Sequence, residues 1–319
     1  MPAPATTARR VAGRVAAVPS RVRSRREVLD RLAKLDPDTD HHEYTNLLLG
    51  RVFSDAWFHQ ALFTVAYYRQ VAVRSIGPII GRRGYGPTLT DTTKRTDDSL
   101  LFFGLLYRDG HASAEGRTTI DRLSAIHQTF DIKMDDYRYT IASLCYEPVR
   151  IPEMLGVDAL TAPEQRALFL FWTGVGREWG VEIPEDQAGF RRWFHEYERT
   201  EYERTDDAVN VSLAMEKCFL DRWAPGPLRP LGSQFLRALC DDHLLATVDM
   251  QPAPVAMRKA VRVAVDVYFR GRRRIPGPAR ADNIIRPWTT EYGRIPDSSE
   301  VGPDWARAIQ ADPRGKCPF

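Results

Sequence analysis

The chain has 319 residues, of which 43% are hydrophobic and 10% aromatic, so it is long enough to bury one large core or two ordinary ones. Its 45 basic and 42 acidic residues nearly balance, and much of the basic excess lies in residues 1–26 and in the RGRRR run at 270–274, which argues against a nucleic-acid-binding surface. The four cysteines show no CxxC or paired spacing, which argues against a disulfide framework or a zinc site and indicates reduced thiols in a cytoplasmic protein.

Residues 1–25 are rich in Ala, Pro, Arg and Thr and lack sustained periodicity, so we predict a disordered Arg-rich arm. An organelle transit peptide is the alternative for such an acid-poor start, whereas a secretory signal is disfavoured because no apolar run of sufficient length follows. The most apolar windows, 61–68 and 100–107, are far shorter than the roughly 20 residues that span a bilayer. We therefore expect no transmembrane segment and at most peripheral contact with a membrane.

Apolar residues recur at helical spacing from residue 26 onwards, between turns rich in Pro, Gly and Asp. The expected helices are, in chain order, Arg26–Leu35, His41–Arg51, Ser54–Ser75, two helices between Lys94 and Phe130, Asp135–Tyr146, a helix that begins after Thr161 and ends at Gly180, Glu185–Tyr202, Asp206–Trp223, Gly232–Leu245 and Pro254–Phe269. No stretch alternates with a period of two between turn signals. The predicted fold class is therefore all-α.

Local signals set several of these boundaries. Ser54 is the expected N-cap of the long aromatic helix, which is apolar on nearly all sides and should be buried at the centre of the fold. Glu147-Pro148 is expected to end the helix before it, and Thr161 with Glu164 has the spacing of a capping box. The Gly-containing stretch 81–93 is expected to be an irregular connector.

Prolines recur after Ile275, which indicates an irregular strap over the helical body with a frayed end. The predicted organisation is therefore the arm at 1–25, one large helical domain at 26–290, and an irregular C-terminal tail at 291–319.

His127 is the first candidate for a functional side chain. In DRLSAIHQTF it lies on a helix beside Leu123, Ile126 and Phe130, so its imidazole should face an apolar interior. One interpretation is a core histidine whose two nitrogens find backbone or hydroxyl partners. The other is an axial ligand of haem iron, which also uses a neutral imidazole in an apolar pocket. The residues alone leave both interpretations open.

The second candidate is the polar cluster KRTDDS at the beginning of the preceding helix. Arg95 and Ser99 are four residues apart and share a helix face, while Asp97 and Asp98 are expected in the first turn, where the helix dipole favours carboxylates. The cluster could be a capped, charged helix start. Alternatively, an arginine and a hydroxyl that face an apolar pocket could hydrogen-bond a bound dioxygen, a peroxide or a haem propionate.

Other patterns predict no chemistry. His41-His42-Glu43 lacks a second cluster with metal-ligand spacing, and His59 is expected in the core. His111 is expected in a loop, and His195 and His243 on amphipathic helices, all three exposed to solvent. There is no G-x-S-x-G, no P-loop and no G-x-G-x-x-G after a strand, so the usual hydrolase, kinase and dehydrogenase signatures are absent.

Several blocks of the sequence resemble a known family of oxygenases. The blocks are LDPDTDHHEYTNLLLGRVFSDAWFHQALFTVAYYRQVAVRSIGPII, KRTDDS, AIHQTFDIKMDDYRYTIASLCYEPVRI and TAPEQRALFLFWTGVGREWGVEIP, followed by F..W...YE. Their order and spacing over about residues 35–290 are similar to those of the mycophenolate-pathway (MpaB-type) oxygenases and, more distantly, the rubber oxygenases or latex clearing proteins. The resemblance implies a largely helical, globin-like fold, a b-type haem bound through one histidine, and cleavage of carbon–carbon double bonds in isoprenoid chains with dioxygen.

The family's functional residues can be carried over by position. Its haem-binding histidine falls on His127, and its arginine and threonine fall on Arg95 and Ser99, where serine keeps the hydroxyl. The tyrosine of that block is Thr96 here, and the asparagine after the histidine falls on Lys133 or Met134. The acidic residue that precedes the arginine block in rubber oxygenases has no clear counterpart in the loop GRRGYGPTLTDTT.

The resemblance therefore implies a haem b site whose iron is bound by His127. The residues expected to contact the cofactor are His127, Arg95, Phe103 and Ile126, and the residues expected to act in catalysis are Arg95, Ser99, Asp97 and Asp98. Either Asp97 or Asp98 would serve as a base or as a partner that orients Arg95.

The expected function is that of a haem b-dependent oxygenase that acts with dioxygen on a hydrophobic, unsaturated or isoprenoid-like small molecule. Oxidative cleavage of a carbon–carbon double bond is the first candidate reaction. Hydroxylation, dehydrogenation or rearrangement in natural-product biosynthesis is the nearest alternative. A non-catalytic carrier of a hydrophobic ligand or of haem, and a member of the fold that has lost haem, are the others.

Overall fold

The computed structural model describes residues 25–275 and 284–303. The α-helices in these two ranges are α1 Arg25–Leu32, α2 Pro37–Leu47, α3 Ala56–Ala72, α4 Ile76–Gly81, α5 Pro87–Thr90, α6 Thr92–Asp109, α7 Ala114–His127, α8 Met134–Met154, α9 Ala162–Glu178, α10 Gln187–Glu201, α11 Asp206–Trp223, α12 Arg229–Ala238, α13 Asp242–Thr247 and α14 Val255–Arg274. No β-strand occurs in the described residues, so the predicted all-α class is confirmed.

The predicted N-terminal arm and part of the predicted C-terminal tail lie outside the described residues. The predicted arm lies outside them except for Arg25, at which α1 begins, and so does the tail after Pro303, including Cys317. The other three cysteines are buried and free. Among the helices described, none is both long enough and apolar enough for a membrane span.

Helix α3 lies at the centre of the fold, as its all-round apolar sequence predicts. It packs on α4, α8 and α11, and fourteen of its seventeen residues are buried. The predicted N-cap is wrong, because α3 begins after Asp55 and the hydroxyl of Ser54 donates instead to the Arg51 carbonyl oxygen at 3.3 Å. The helix also ends earlier than predicted, because Val73 is extended.

Helix α8 continues through two prolines, so the predicted end at Glu147-Pro148 is wrong. Pro148 and Pro152 each remove a backbone donor, which commonly breaks a helix interior. Here α8 is packed against α3, α9 and α10, and Glu147 forms a fully buried ion pair with Arg69 of α3 at 2.8 Å. Tertiary contacts therefore outweigh the local signal.

The stretch 81–93 is more ordered than predicted. It contains a short 3-10 turn at Arg82–Gly84 and helix α5, and α6 already begins at Thr92, where the Asp91 side chain accepts from the backbone N–H of Lys94 at 3.2 Å. Asp97 and Asp98 consequently lie in the second turn of α6 and not in the first.

Other boundaries follow their capping residues. The capping box of α9 is confirmed, because the Glu164 carboxylate accepts from the backbone N–H of Thr161 at 2.7 Å. Helix α11 has the predicted bounds. The helix predicted at 232–245 is instead the pair α12 and α13, which separate because Asp241 caps α13 by accepting from Leu244 N–H at 2.8 Å. Helix α14 extends five residues beyond the predicted Phe269.

Residues 284–303 form a strap over α6 and α7, with 3-10 turns at Arg286–Trp288 and Ser298–Glu300. The buried guanidinium of Arg122 on α7 holds its end by donating to the carbonyl oxygens of Val301 at 2.9 Å and Pro303 at 3.3 Å. The strap therefore closes one side of the helix pair that the sequence singled out.

Candidate functional site

A cavity of about 300 Å³ lies among helices α3 to α9, with the end of the strap on one side. This volume is at the lower end of the range of ligand pockets, about 300–1,000 Å³. Most of its wall is apolar or aromatic, including Phe63, Phe102, Phe103, Ile126, Trp172 and Trp179. The charged residues on the wall are Arg82, Asp91, Lys94, Arg95, Asp98 and Asp136. The cavity thus has a mainly apolar wall with a small number of charged side chains.

His127 is the last residue of α7 and lies on the cavity wall. Its Nδ1 atom is 2.7 Å from the Leu123 carbonyl oxygen, one helical turn earlier. A carbonyl can only accept, so Nδ1 carries the proton and Nε2 keeps its lone pair. Burial lowers the pKa of His127 to about 4, and the positive charge of Arg95 acts in the same direction. The imidazole is therefore neutral near pH 7.

Two aromatic rings flank the His127 imidazole. Trp179 lies edge-on at 5.1 Å between ring centroids, and Tyr137 lies edge-on at 6.2 Å. No residue in the described ranges hydrogen-bonds Nε2 of His127. A neutral imidazole with a fixed orientation and a free Nε2 is the form in which histidine binds a metal.

Arg95 and Ser99 share one face of α6, as predicted, and both line the cavity. The Arg95 guanidinium donates to the Ser99 hydroxyl oxygen, and that hydroxyl donates to the Arg95 carbonyl oxygen at 3.0 Å. The structure therefore brings the predicted arginine and hydroxyl onto the same cavity wall as His127. Phe103 and Ile126, the other predicted cofactor contacts, line this cavity as well.

Asp98 lies on the cavity wall but does not orient Arg95. One carboxylate oxygen accepts from the Tyr292 hydroxyl at 2.7 Å, and the other accepts from Lys94 Nζ at 2.8 Å. The ammonium of Lys94 also lies 5.4 Å from the centroid of the Tyr292 ring. Lys94 and Tyr292 were not predicted from the sequence to belong to the site, and Tyr292 lies 194 residues after Asp98.

Asp97 is not among the residues that line the cavity. Its two carboxylate oxygens pair with Arg222 of α11 at 2.8 and 3.0 Å. Burial raises the pKa of Asp97, and the Arg222 guanidinium opposes that shift. Successive residues of a helix point about 100° apart, so Asp97 and Asp98 face different neighbours. In the structure Asp97 therefore links α6 to α11 away from the cavity wall, and its catalytic role stays a prediction.

Asp136 and Gln70 are among the polar residues of the wall that the sequence analysis did not single out. Asp136 of α8 accepts from the Ser75 and Tyr197 hydroxyls, each at 2.8 Å. Gln70 of α3 donates to the Ser143 hydroxyl at 2.9 Å. The only sequence signal for these side chains is the side of α3 or α8 on which they lie. Apolar periodicity identifies the buried side of a helix but does not show which polar residues reach a cavity.

A second group of histidines lies between α2 and the loop before α7. The Nε2 atoms of His41 and His111 are 3.3 Å apart, and their rings stack with centroids 5.5 Å apart. Burial lowers the pKa of His41, His42 and His111, that of His111 to about 4. The predicted exposure of His111 is therefore wrong. Within the described residues, no group of three or more His, Cys, Asp or Glu side chains could hold a metal ion.

The remaining histidines are where the sequence placed them. His59 is buried, with Nε2 at 3.1 Å from the Leu49 carbonyl oxygen. His195 and His243 are exposed on α10 and α13. None of these three lines the cavity.

Comparisons with known proteins agree on one family. A family model described as ER-bound oxygenase mpaB/B'/Rubber oxygenase, catalytic domain, matches residues 86–271, which is more than half of the chain. ER-bound oxygenase mpaB' of Penicillium brevicompactum is 24% identical over 196 residues, which cover 56% of this chain and 46% of that protein. ER-bound oxygenase mpaB of Penicillium roqueforti (strain FM164) is 23% identical over 196 residues, which cover 56% of this chain and 65% of that protein.

The chain thus spans between about half and two thirds of the length of the curated relatives that it matches. The matched range 86–271 includes His127, Arg95, Ser99 and Asp98, and it excludes Tyr292 and the strap. On the extent of this match, the chain belongs to the mpaB/B' and rubber oxygenase catalytic-domain family.

Proposed function

We propose that this protein is an oxygenase that binds haem b through His127 and acts with dioxygen on a hydrophobic small molecule. The observation that carries the proposal is the state of His127 in an apolar cavity, neutral, oriented by the Leu123 carbonyl and free at Nε2. Membership of an oxygenase family supports the reaction class.

The residues around the cavity fit haem b in two further respects. Phe102, Phe103 and Trp172 offer flat apolar surface of the kind that covers a porphyrin. Arg95 and Lys94 on the same wall offer cations that suit propionates. When bound, haem b supplies the one-electron and dioxygen chemistry that amino-acid side chains do not provide.

The protein's own residues would then position the reaction. Leu123, Tyr137 and Trp179 hold the His127 ring. Ser99 fixes the Arg95 guanidinium at the wall. The Asp98 carboxylate, which accepts hydrogen bonds from Lys94 and Tyr292 at the wall, would accept a proton from a bound molecule.

The composition of the cavity wall supports the proposed substrate class. An apolar and aromatic cavity with charges confined to a few positions suits a hydrophobic molecule, and the family resemblance favours an unsaturated or isoprenoid-like one. Oxidative cleavage of a carbon–carbon double bond is the proposed reaction. Aerobic incubation with isoprenoid compounds, followed by mass spectrometry, tests it. Chain scission with two added oxygen atoms supports cleavage, whereas one added oxygen or the loss of two hydrogens indicates hydroxylation or dehydrogenation.

Haem binding is tested first by an absorption spectrum of the full-length protein, expressed with haem supply. We expect a Soret band that responds to dithionite and to carbon monoxide, that His127→Ala alters, and that the control His243→Ala leaves unchanged. A colourless protein, or a spectrum that His127→Ala does not alter, contradicts the haem proposal. A haem-loaded protein that consumes no dioxygen with any isoprenoid would instead favour a carrier.

A further inference from the structure

Helix α14 is apolar on two opposite sides. Its inner side buries Val261 and Phe269 in the core. On its outer side Val255, Val263 and Val267 are 69%, 62% and 63% exposed. These three valines are spaced by multiples of four residues and therefore form one stripe along the helix. Because a helix that is apolar on both sides is normally covered on both, the outer stripe indicates a docking surface.

Cations accompany this stripe. Lys259, Arg262 and Arg274 are exposed, and none of them forms an ion pair with a residue in the described ranges. Arg270 is also exposed and pairs at 2.8 Å with Asp266, which is the only acidic residue of α14. We call the exposed residues Val255, Lys259, Arg262, Val263, Val267, Arg270 and Arg274 the outer face of α14.

The other arginines of the RGRRR run point the opposite way. Arg272 pairs with Asp55 at the beginning of α3, and Arg273 donates to the Glu164 carboxylate of α9 at 2.7 Å. These two contacts fix the rotation of α14 about its own axis. The helix therefore presents its valine stripe and its unpaired cations to the outside as a consequence of packing.

The apolar surface continues next to α14. Helix α12 packs on α14, and Leu228 and Leu231, at and just before the beginning of α12, are more than half exposed. Two adjacent elements thus leave aliphatic side chains uncovered in the part of the chain that the structure describes.

Charge decides between the occupants that could cover the outer face. A second copy would bring the same cations against themselves, and residues 1–25 would add Arg9, Arg10 and Arg14 to a surface that is already basic. An anionic lipid bilayer instead complements the cations and takes up the valines. We propose that the outer face of α14 docks this protein on an anionic membrane surface, and this inference does not depend on the proposed oxygenase activity.

The docked arrangement follows the physics of interfacial helices. The helix would lie parallel to the bilayer with its valines at the boundary of headgroups and acyl chains and its cations among lipid phosphates. Both contributions are needed, because a short valine stripe alone binds weakly and exposed cations alone are screened by salt.

The test is vesicle co-sedimentation of the full-length protein. We expect binding to vesicles of phosphatidylcholine mixed with phosphatidylserine, much weaker binding to phosphatidylcholine alone, and release as NaCl is raised. Val263→Glu with Val267→Glu should weaken binding at least about tenfold. Lys259→Gln, Arg262→Gln and Arg274→Gln should each weaken it about fivefold.

Matched variants separate this face from other surfaces. Leu213→Glu on α11 changes another exposed aliphatic residue and should leave binding unchanged. Replacing Arg9, Arg10 and Arg14 by Gln in the full-length chain isolates the contribution of the N-terminal residues. Far-UV circular dichroism confirms that each variant keeps its helices.

Three results would overturn the inference. The first is a failure of the unaltered protein to bind the anionic vesicles. The second is a folded Val263→Glu, Val267→Glu variant that binds them as well as the unaltered protein does. The third is a dimer, or a complex with an acidic protein, that this variant disrupts while vesicle binding persists.

Discussion

The Nδ1 atom of His127 lies 2.7 Å from the carbonyl oxygen of Leu123, and this one contact decides what the histidine can do. It consumes the proton of the neutral ring and leaves the Nε2 lone pair for another partner. A core histidine with both nitrogens satisfied would need a donor for Nε2, and the described residues provide none. The backbone that forms the last turn of α7 thus leaves the imidazole in the protonation state and orientation that the haem proposal requires.

Replacing His127 by alanine should abolish the Soret band while preserving the fold. The side chain makes one backbone hydrogen bond and two edge-on ring contacts at the end of α7, so we expect a stability loss of about 1–3 kcal/mol with the helices retained. Imidazole added to the variant should restore part of the absorbance, because it can enter the space that the side chain leaves. Absorption spectra with and without imidazole measure this, and an equal gain in absorbance when imidazole is added to His243→Ala would argue against a specific effect.

Ser99→Ala should weaken the proposed reaction more than it weakens the fold. The change frees the Arg95 guanidinium from its side-chain partner at the cavity wall, and a lost hydrogen bond to a charged group corresponds to roughly a tenfold or larger fall in kcat/KM. Ser99→Thr keeps the hydroxyl and should retain most activity. Dioxygen consumption measures the effect, with Thr118→Ala on the exposed side of α7 as control. Equal losses in the threonine and alanine variants would show that the hydroxyl is not what matters.

Sequence periodicity and capping predict much of this fold, and the failures have physical causes. The bounds of α11 and the capping box of α9 depend on neighbouring residues, so they can be read locally. The continuation of α8 through Pro148 cannot, because contacts with α3, α9 and α10 hold it together. The pairing of Arg95 with Ser99 is likewise local, because a four-residue spacing puts both on one helix face. The contact of Tyr292 with Asp98 is not local, because it joins residues 194 positions apart and depends on the tertiary fold.

Sequence analysis could not distinguish the roles of the neighbouring residues Asp97 and Asp98. Asp97 and Asp98 are equivalent in the sequence, and only the position of α11 reveals that one carboxylate belongs to Arg222. The resemblance to a family located the arginine, the hydroxyl and the histidine. It did not reveal Lys94 or Tyr292, and Tyr292 lies outside the matched range.

The two aspartates should therefore differ when each is changed to asparagine. Asp97→Asn leaves the Arg222 guanidinium without its carboxylate and should lower the free energy of unfolding by about 1–3 kcal/mol with activity per folded molecule preserved. Asp98→Asn removes the carboxylate at the cavity wall and should lower the catalytic rate about 100-fold or more, if it accepts a proton. Urea unfolding and dioxygen consumption separate the two effects. Full activity in Asp98→Asn would rule out the proposed proton acceptor.

Stability should fall as the pH is lowered from about 6.5 towards 4. Burial holds the pKa of His127 and of His111 at about 4 in the folded protein, and it lowers that of His41, His42 and His59 as well. The unfolded chain, with ordinary histidine pKa values near 6.5, binds more protons in this window, so acid favours unfolding. Above pH 6.5 both states are neutral at these positions and their effect on stability is constant.

Urea unfolding of the haem-free protein at a series of pH values measures this dependence. Each unit by which folding lowers the pKa of one histidine should reduce the free energy of unfolding by about 1.4 kcal/mol over this pH range. His111→Gln removes one titrating group beside His41, so the free energy of unfolding should change less steeply between pH 6.5 and 4. His243→Gln, at an exposed position, should leave the slope unchanged. A slope in His111→Gln that matches the unaltered protein would show that the pKa of His111 is the same in the folded and unfolded states, which would contradict the expected effect of its burial.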